Sequence, residues 1–147
     1  MRYSTAKTGR VFIVRLEDGD ILHEEIEQLA RKEKIKAAAI TIVGGIDQGS
    51  KLVVGPHDGR AEIIEPMEAI VDNVYEATGT GTLFPDETGN PILHLHLTAA
   101  RGDKVIGGCV RRGVKTWQVL EVIVMELTAS TAIRKFDPIT GFKLLQP

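Results

Sequence analysis

A single cysteine among 147 residues rules out an internal disulfide framework and suits a reducing cytoplasm. No apolar run is long enough to span a bilayer, and the first residues lack the apolar core of a secretory signal. Basic charge is not in excess either: 18 Lys and Arg stand against 20 Asp and Glu, a net charge of −2. Proteins that grip DNA usually present a basic face, so this balance argues against a large electrostatic footprint for nucleic acid. Only Arg101, Lys104, Arg111, Arg112 and Lys115 form a local basic run, which reads as a solvated loop and strand end. There is no internal repeat, low-complexity tract or linker. Neither a G-x-G-x-x-G nor a P-loop lysine accompanies Gly44-Gly45, which reads instead as a turn or bulge.

What is present is ordinary globular material. Hydrophobic residues make up 43% and charged residues 26%, enough for a proper core in one domain spanning 1–147. Residues 1–10 are polar and basic and read as an irregular lead-in. Val11 to Val14 is β-branched and aromatic, hence a first strand. Asp20 is the expected N-cap of a helix from Ile21 to about Glu33, in which Leu22, Ile26, Leu29 and Ala30 recur at helical spacing. Glu24 and Glu25 near its start and Lys32 and Lys34 near its end complement the helix dipole. Ile35–Val43, Lys51–Val54, Ala61–Ile64, Tyr75–Phe84, Ile92–Thr98 and Thr116–Leu127 read as strands, and Lys143–Leu145 as an edge strand. Glu65–Asn73 fits either a strand or a helical turn. Gly79 and Gly81 inside a strand suggest a bulge or close backbone packing. Strands joined by turns define an α+β class: a largely antiparallel mixed sheet with one main amphipathic helix.

Chemistry concentrates in Ile92 to Val110. Side chains alternate along a strand, so Leu93, Leu95 and Leu97 share one face and His94, His96 and Thr98 the other. Gly102-Asp103 suits a two-residue hairpin loop, since these residues tolerate positive φ. That loop would pair Arg101 with Lys104, Thr98 with Gly107 and His96 with Cys109. The only cysteine would then lie beside both histidines, a nitrogen and sulfur set of the kind zinc prefers, with one position left open. The plainer alternative is a pair of solvated imidazoles and a small buried thiol. Glu121, polar within Val119–Ile123, reads as a general acid or base, a residue supporting the metal ligands, or an exposed face position.

Several of these segments together resemble the plant and prokaryote conserved (PPC) domain family. They are Gly89-x-Pro91-x-x-His94-Leu95-His96, Gly107-Gly108 before Cys109, Glu121-Val122-Ile123, and Phe136-Asp137-Pro138-x-Thr140-Gly141-Phe142. The resemblance covers about Val11 to Leu145. It implies a homotrimer built on an antiparallel sheet and, for some prokaryotic members, a metal, commonly zinc, at the histidine cluster. Cys109 stands where the family has a histidine, which makes the site more thiophilic. The fold also resembles acetolactate decarboxylase, which implies a zinc-dependent lyase acting on a small carbonyl acid, with Glu121 moving protons. The family's DNA-binding label implies a regulatory module, but the Arg-Gly-Arg-Pro element of plant members is missing here. Metal-binding domain, enzyme with a small-molecule ligand, and DNA-binding module therefore stand as the three function classes.

Overall fold

The computed structural model describes every residue except Glu62 and Arg112. Eight strands form one sheet in the order β1-β8-β2-β5-β6-β7-β3-β4. They are β1 (Lys7–Glu17), β2 (Ala38–Ile46), β3 (Lys51–Pro56), β4 (Pro66–Ile70), β5 (Tyr75–Pro85), β6 (Pro91–Arg101), β7 (Lys104–Val110) and β8 (Thr116–Thr128). A single helix, α1 (Leu22–Glu33), follows β1, and a separate hairpin of β9 (Ile133–Phe136) and β10 (Lys143–Gln146) closes the chain. Every strand pair is antiparallel. The only parallel contact among the described residues is an isolated bridge between Asp86 and Arg134. This is the α+β architecture expected, with "mixed" reduced to that one bridge.

Alternation decides the faces. Leu93, Leu95, Leu97 and Ala99 of β6 and Leu120, Val122 and Val124 of β8 are buried in one core with Leu22, Ile26 and Ala30 of α1. The helix is also tied to β6 by a polar contact: the Glu27 carboxylate accepts the Leu93 amide at 3.1 Å. That amide lies before the β6–β7 ladder, which begins at Leu95, so Glu27 satisfies a donor that no strand pairs. The opposite, open face carries His94, His96 and Thr98 on β6, Thr78, Thr80 and Thr82 on β5, and Glu121, Ile123 and Met125 on β8.

Several local expectations are corrected. The lead-in is shorter than 1–10, because β1 begins at Lys7 and pairs with the end of β8 through a bulge at residues 8–11. There Arg10 grips Glu126 at 2.8 Å, and this long-range partner draws a polar segment into the sheet. Asp20 is not the N-cap of α1. Ile21 occupies that place without a side-chain cap, and the Asp20 carboxylate accepts the Glu17 amide at 2.8 Å, closing the β1–α1 turn instead. Residues 61, 63 and 64 are not in a strand; the strand lies at Pro66–Ile70, within the segment read ambiguously. Residue 62 lies outside the described residues. Lys143–Gln146 pairs with β9 rather than with the main sheet. Gly44 and Gly45 lie within β2 opposite a bulge in β8: Gly44 pairs with Leu120 and Gly45 with Trp117, so the extra residues, Gln118 and Val119, belong to β8.

The terminal hairpin is held over the end of β5 by a buried carboxylate. Asp86 accepts Lys143 Nζ (2.8 Å), Thr88 Oγ1 (2.7 Å) and the amides of Thr88 (2.9 Å) and Asn90 (3.1 Å). Lys143 first, and then Thr88, hold its pKa far below the ordinary carboxylate range despite burial. A depressed folded-state pKa means stability that is complete above the unfolded value, about 3.9, and is lost as pH falls through the folded value. Asp86→Ala should therefore cost about 2–3 kcal/mol at pH 7, read as a fall of roughly 5–10 °C in Tm. The difference between variant and parent should shrink below about pH 4. An unchanged Tm at pH 7 would show that the hairpin is not anchored there.

Candidate metal centre

The site is built by a short local hairpin. Gly102 takes φ of 60° in the two-residue turn, and β6 then pairs with β7 without a register break: Arg101 with Lys104, Thr98 with Gly107, His96 with Cys109. The expected facing of His96 and Cys109 is observed. On the other side of β6, Gly79 and Gly81 of β5 allow the backbones to approach closely. A Cβ on Gly81 would stand 2.6 Å from the His94 carbonyl oxygen, and one on Gly79 would stand 2.6 Å from that of His96.

His94, His96 and Cys109 offer ligand atoms that all lie within 4.8 Å of one another. The two Nε2 atoms are 3.1 Å apart, with the rings at 69°. Two nitrogens bound to one tetrahedral zinc at about 2.05 Å stand about 3.3 Å apart, so the imidazoles are already spaced as a ligand pair. Burial lowers the His94 pKa, and Arg134, His96 and Arg111 lower it further, so the ring is neutral at neutral pH, the form that binds metal. Cys109 is buried, and burial raises its pKa while Arg111 and Arg134 act in the opposite sense. Without a metal it is a thiol; a bound cation would make it a thiolate.

The cluster opens onto a cleft of about 690 Å³ whose walls include Ile92, His94, His96, Arg111, Arg134 and residues 141–145 of the terminal hairpin. Arg134 is 5% exposed and donates from Nη2 to Thr82 Oγ1 at 2.9 Å. Thr82 pairs with His94 across the β5–β6 ladder, so this contact places the guanidinium next to the cluster. Glu121 is not brought here. It lies exposed on β8, paired with Arg15 and Val43, and three strand spacings separate β8 from β6, about 14 Å. The register of β8 in the sheet, which no local pattern encodes, sends that carboxylate elsewhere.

Sequence reasoning missed Arg134 and placed Arg111 only in a surface run. The signal available was weak: one arginine within the short Ala132–Lys135 stretch, ahead of the Phe136–Phe142 turn. The basic run does not act as one patch. Lys104 pairs with Asp72 at 2.8 Å, Lys115 with Asp47 at 2.6 Å, and Arg101 donates to the Val74 carbonyl at 3.2 Å. Arg112 lies outside the described residues.

Fold and site together define a small antiparallel-sheet domain with a histidine and cysteine donor cluster on its open face. The chain belongs to the Plants and Prokaryotes Conserved (PCC) domain family, whose profile matches residues 3–128. Among solved structures, a metal-containing protein of Archaeoglobus fulgidus superposes with a TM-score of 0.83, at 24% identity over all of both chains. A protein of Ralstonia eutropha, described as a candidate DNA-binding protein, superposes with a TM-score of 0.73 at 26% identity, over 92% of this chain and 90% of that one. In sequence, the bifunctional protein GlmU of a Synechococcus strain is 29% identical over 90% of this chain. The chain spans about a fifth of that relative's length, 19%.

Proposed function

We propose that this protein is a cytoplasmic zinc-binding domain that works as a homotrimer, with His94, His96 and Cys109 as the protein ligands. The observation that carries the reading is the 3.1 Å separation of the two Nε2 atoms beside a buried thiol. Two imidazoles and a thiolate are a donor set that zinc favours, and three protein ligands leave a fourth position for an exchangeable group. The metal-containing relative from Archaeoglobus fulgidus, which shares the fold, supports a metal in this chain. Zinc, when bound, supplies a Lewis acid facing the cleft. The chain's own contribution is to keep His94 neutral by burial and to balance a Cys109 thiolate with Arg111 and Arg134. Among the described residues no carboxylate lines the cleft, so a lyase in which Glu121 moves protons has little support. The DNA-binding reading rests on the Ralstonia likeness and is weakened by the ion pairs that tie up Lys104 and Lys115. Elemental analysis of protein purified with zinc available should find about one equivalent per chain, removable by chelator. Less than a tenth of an equivalent would overturn the proposal.

Self-association is supported by the open face of the sheet. Ile13 (87% exposed) faces Ile123, Val11 faces Met125, and Val43 lies across from Glu121, giving an apolar strip on β1, β8 and β2. Isolated soluble chains rarely leave a contiguous apolar surface of this kind uncovered. Light scattering at micromolar concentration should return the mass of three 16.0 kDa chains. The paired substitutions Ile13→Glu and Ile123→Glu should shift it to one chain while the circular dichroism stays unchanged. A monomeric parent protein would sink this part of the reading.

A further inference from the structure

We propose that the cleft beside the histidine cluster binds a small oxyanion, a carboxylate or phosphate group, with Arg134 as its buried anchor and Arg111 at its mouth. Arg134 is buried yet has no carboxylate partner within 4 Å among the described residues. A guanidinium has five N–H donors. Here, among the described residues, one hydrogen bond is made, to Thr82, Nε is buried without a partner, and the ring of Phe84 lies 5.9 Å away. Burying a charge without a counter-charge is costly, and natural folds seldom do so without a use for it.

The surroundings supply no counter-charge. Arg111 and His94 line the same cleft, and Lys143, also on its wall, holds Asp86 at 2.8 Å, so that carboxylate is already engaged. The cleft is thus an electropositive recess with spare N–H donors, with a volume, about 690 Å³, that suits a small ligand. Arginine's planar fork matches two oxygens of a carboxylate or phosphate at once. An oxyanion held by Arg134 would share the cleft with His94 and His96. The anion site shares the cleft with the proposed zinc site, and binding of the oxyanion itself does not depend on the metal.

The test uses the full chain, stripped of metal by chelator and dialysed. Inorganic phosphate and propionate are titrated separately by calorimetry, against sodium chloride at matched ionic strength, and zinc content is measured on parallel unstripped samples. At least one probe should bind saturably at millimolar concentration or tighter and raise Tm. Binding of phosphate alone would assign a phosphoryl ligand; binding of propionate alone would assign a carboxylate. Arg134→Lys, which keeps the charge but loses the fork, should weaken binding at least tenfold. Arg111→Ala, at an exposed position, should weaken it several-fold without a change in Tm of the unliganded protein, and Arg101→Ala should leave it unaltered. No response beyond chloride from either probe would overturn the proposal, as would binding indifferent to both Arg134→Lys and Arg111→Ala. Zinc retained in the unstripped samples alongside such a result would leave the metal reading standing, so the two fail separately.

Discussion

His94→Ala protein is expected to bind zinc at least about 100-fold more weakly than the parent, because removing one of three protein ligands costs more than the 10–100-fold typical of residues that merely orient a ligand. The circular dichroism should stay the same, since His94 lies on the open face and the core beneath it is made by Leu93, Leu95 and Leu97. Cys109 supplies the sharper comparison. Cys109→Ser should lose much of the affinity, because a hydroxyl is a poor zinc ligand, whereas Cys109→His should retain it by offering an imidazole in the same place. The thiol should be protected from alkylation by zinc and become reactive after chelation, as far as its burial allows. The oligomeric mass should be the same throughout, because the proposed interface is the apolar strip on β1, β8 and β2 and not the metal cluster. Zinc content indifferent to Cys109→Ser, with alkylation indifferent to chelator, would make Cys109 a packing residue and leave the metal to the two histidines.

Gly81→Val should severely damage the part of the sheet that carries the site. The added Cβ would stand 2.6 Å from the His94 carbonyl oxygen, 2.7 Å from Leu95 Cβ and 2.8 Å from Leu95 Cα. Two of these three atoms are backbone in the strand that carries the site, so relief requires β5 and β6 to part. Overpacking in a core commonly costs 1–3 kcal/mol, and a clash with backbone belongs at or above the top of that range, about 3 kcal/mol or more. Urea unfolding should show this loss, together with weaker zinc binding, because the β6 backbone under His94 must move. Gly59→Ala, with no atom within 4 Å of its Cβ and an ordinary φ, should stay within about 0.5 kcal/mol of the parent. Equal stability of Gly81→Val and Gly59→Ala would mean that the β5–β6 approach is not as tight as described.

The parts of this protein legible from sequence are those written locally. A two-residue turn at Gly102-Asp103 and the strict alternation of strand side chains suffice to place His96 opposite Cys109, because register in a hairpin follows from loop length and period alone. The same holds for α1, whose Leu22, Ile26 and Ala30 define a buried stripe from spacing. The Gly79 and Gly81 signal was also local, since a strand residue without a side chain marks a close approach whatever lies opposite.

Tertiary structure decided the rest, through pairings between segments far apart in the chain. β8 inserts between β1 and β2, which carries Glu121 three strands from the histidines although its own neighbours in sequence are unremarkable strand residues. Arg10 binds Glu126 across 116 residues, and this contact extends β1 to Lys7 against its polar composition. Asp20 had two acceptable roles, helix cap or turn closure, and the geometry of the β1–α1 connection selected the second. Arg134 lines the same cleft as His94 because the last hairpin, tied by Asp86 and Lys143, folds back over β5, 52 residues from the Thr82 hydroxyl that orients it. Sequence alone therefore determined the zinc-type donor set, since its three members lie on one hairpin. The cationic wall that faces it depended on long-range strand pairing, for which no local pattern carries the register.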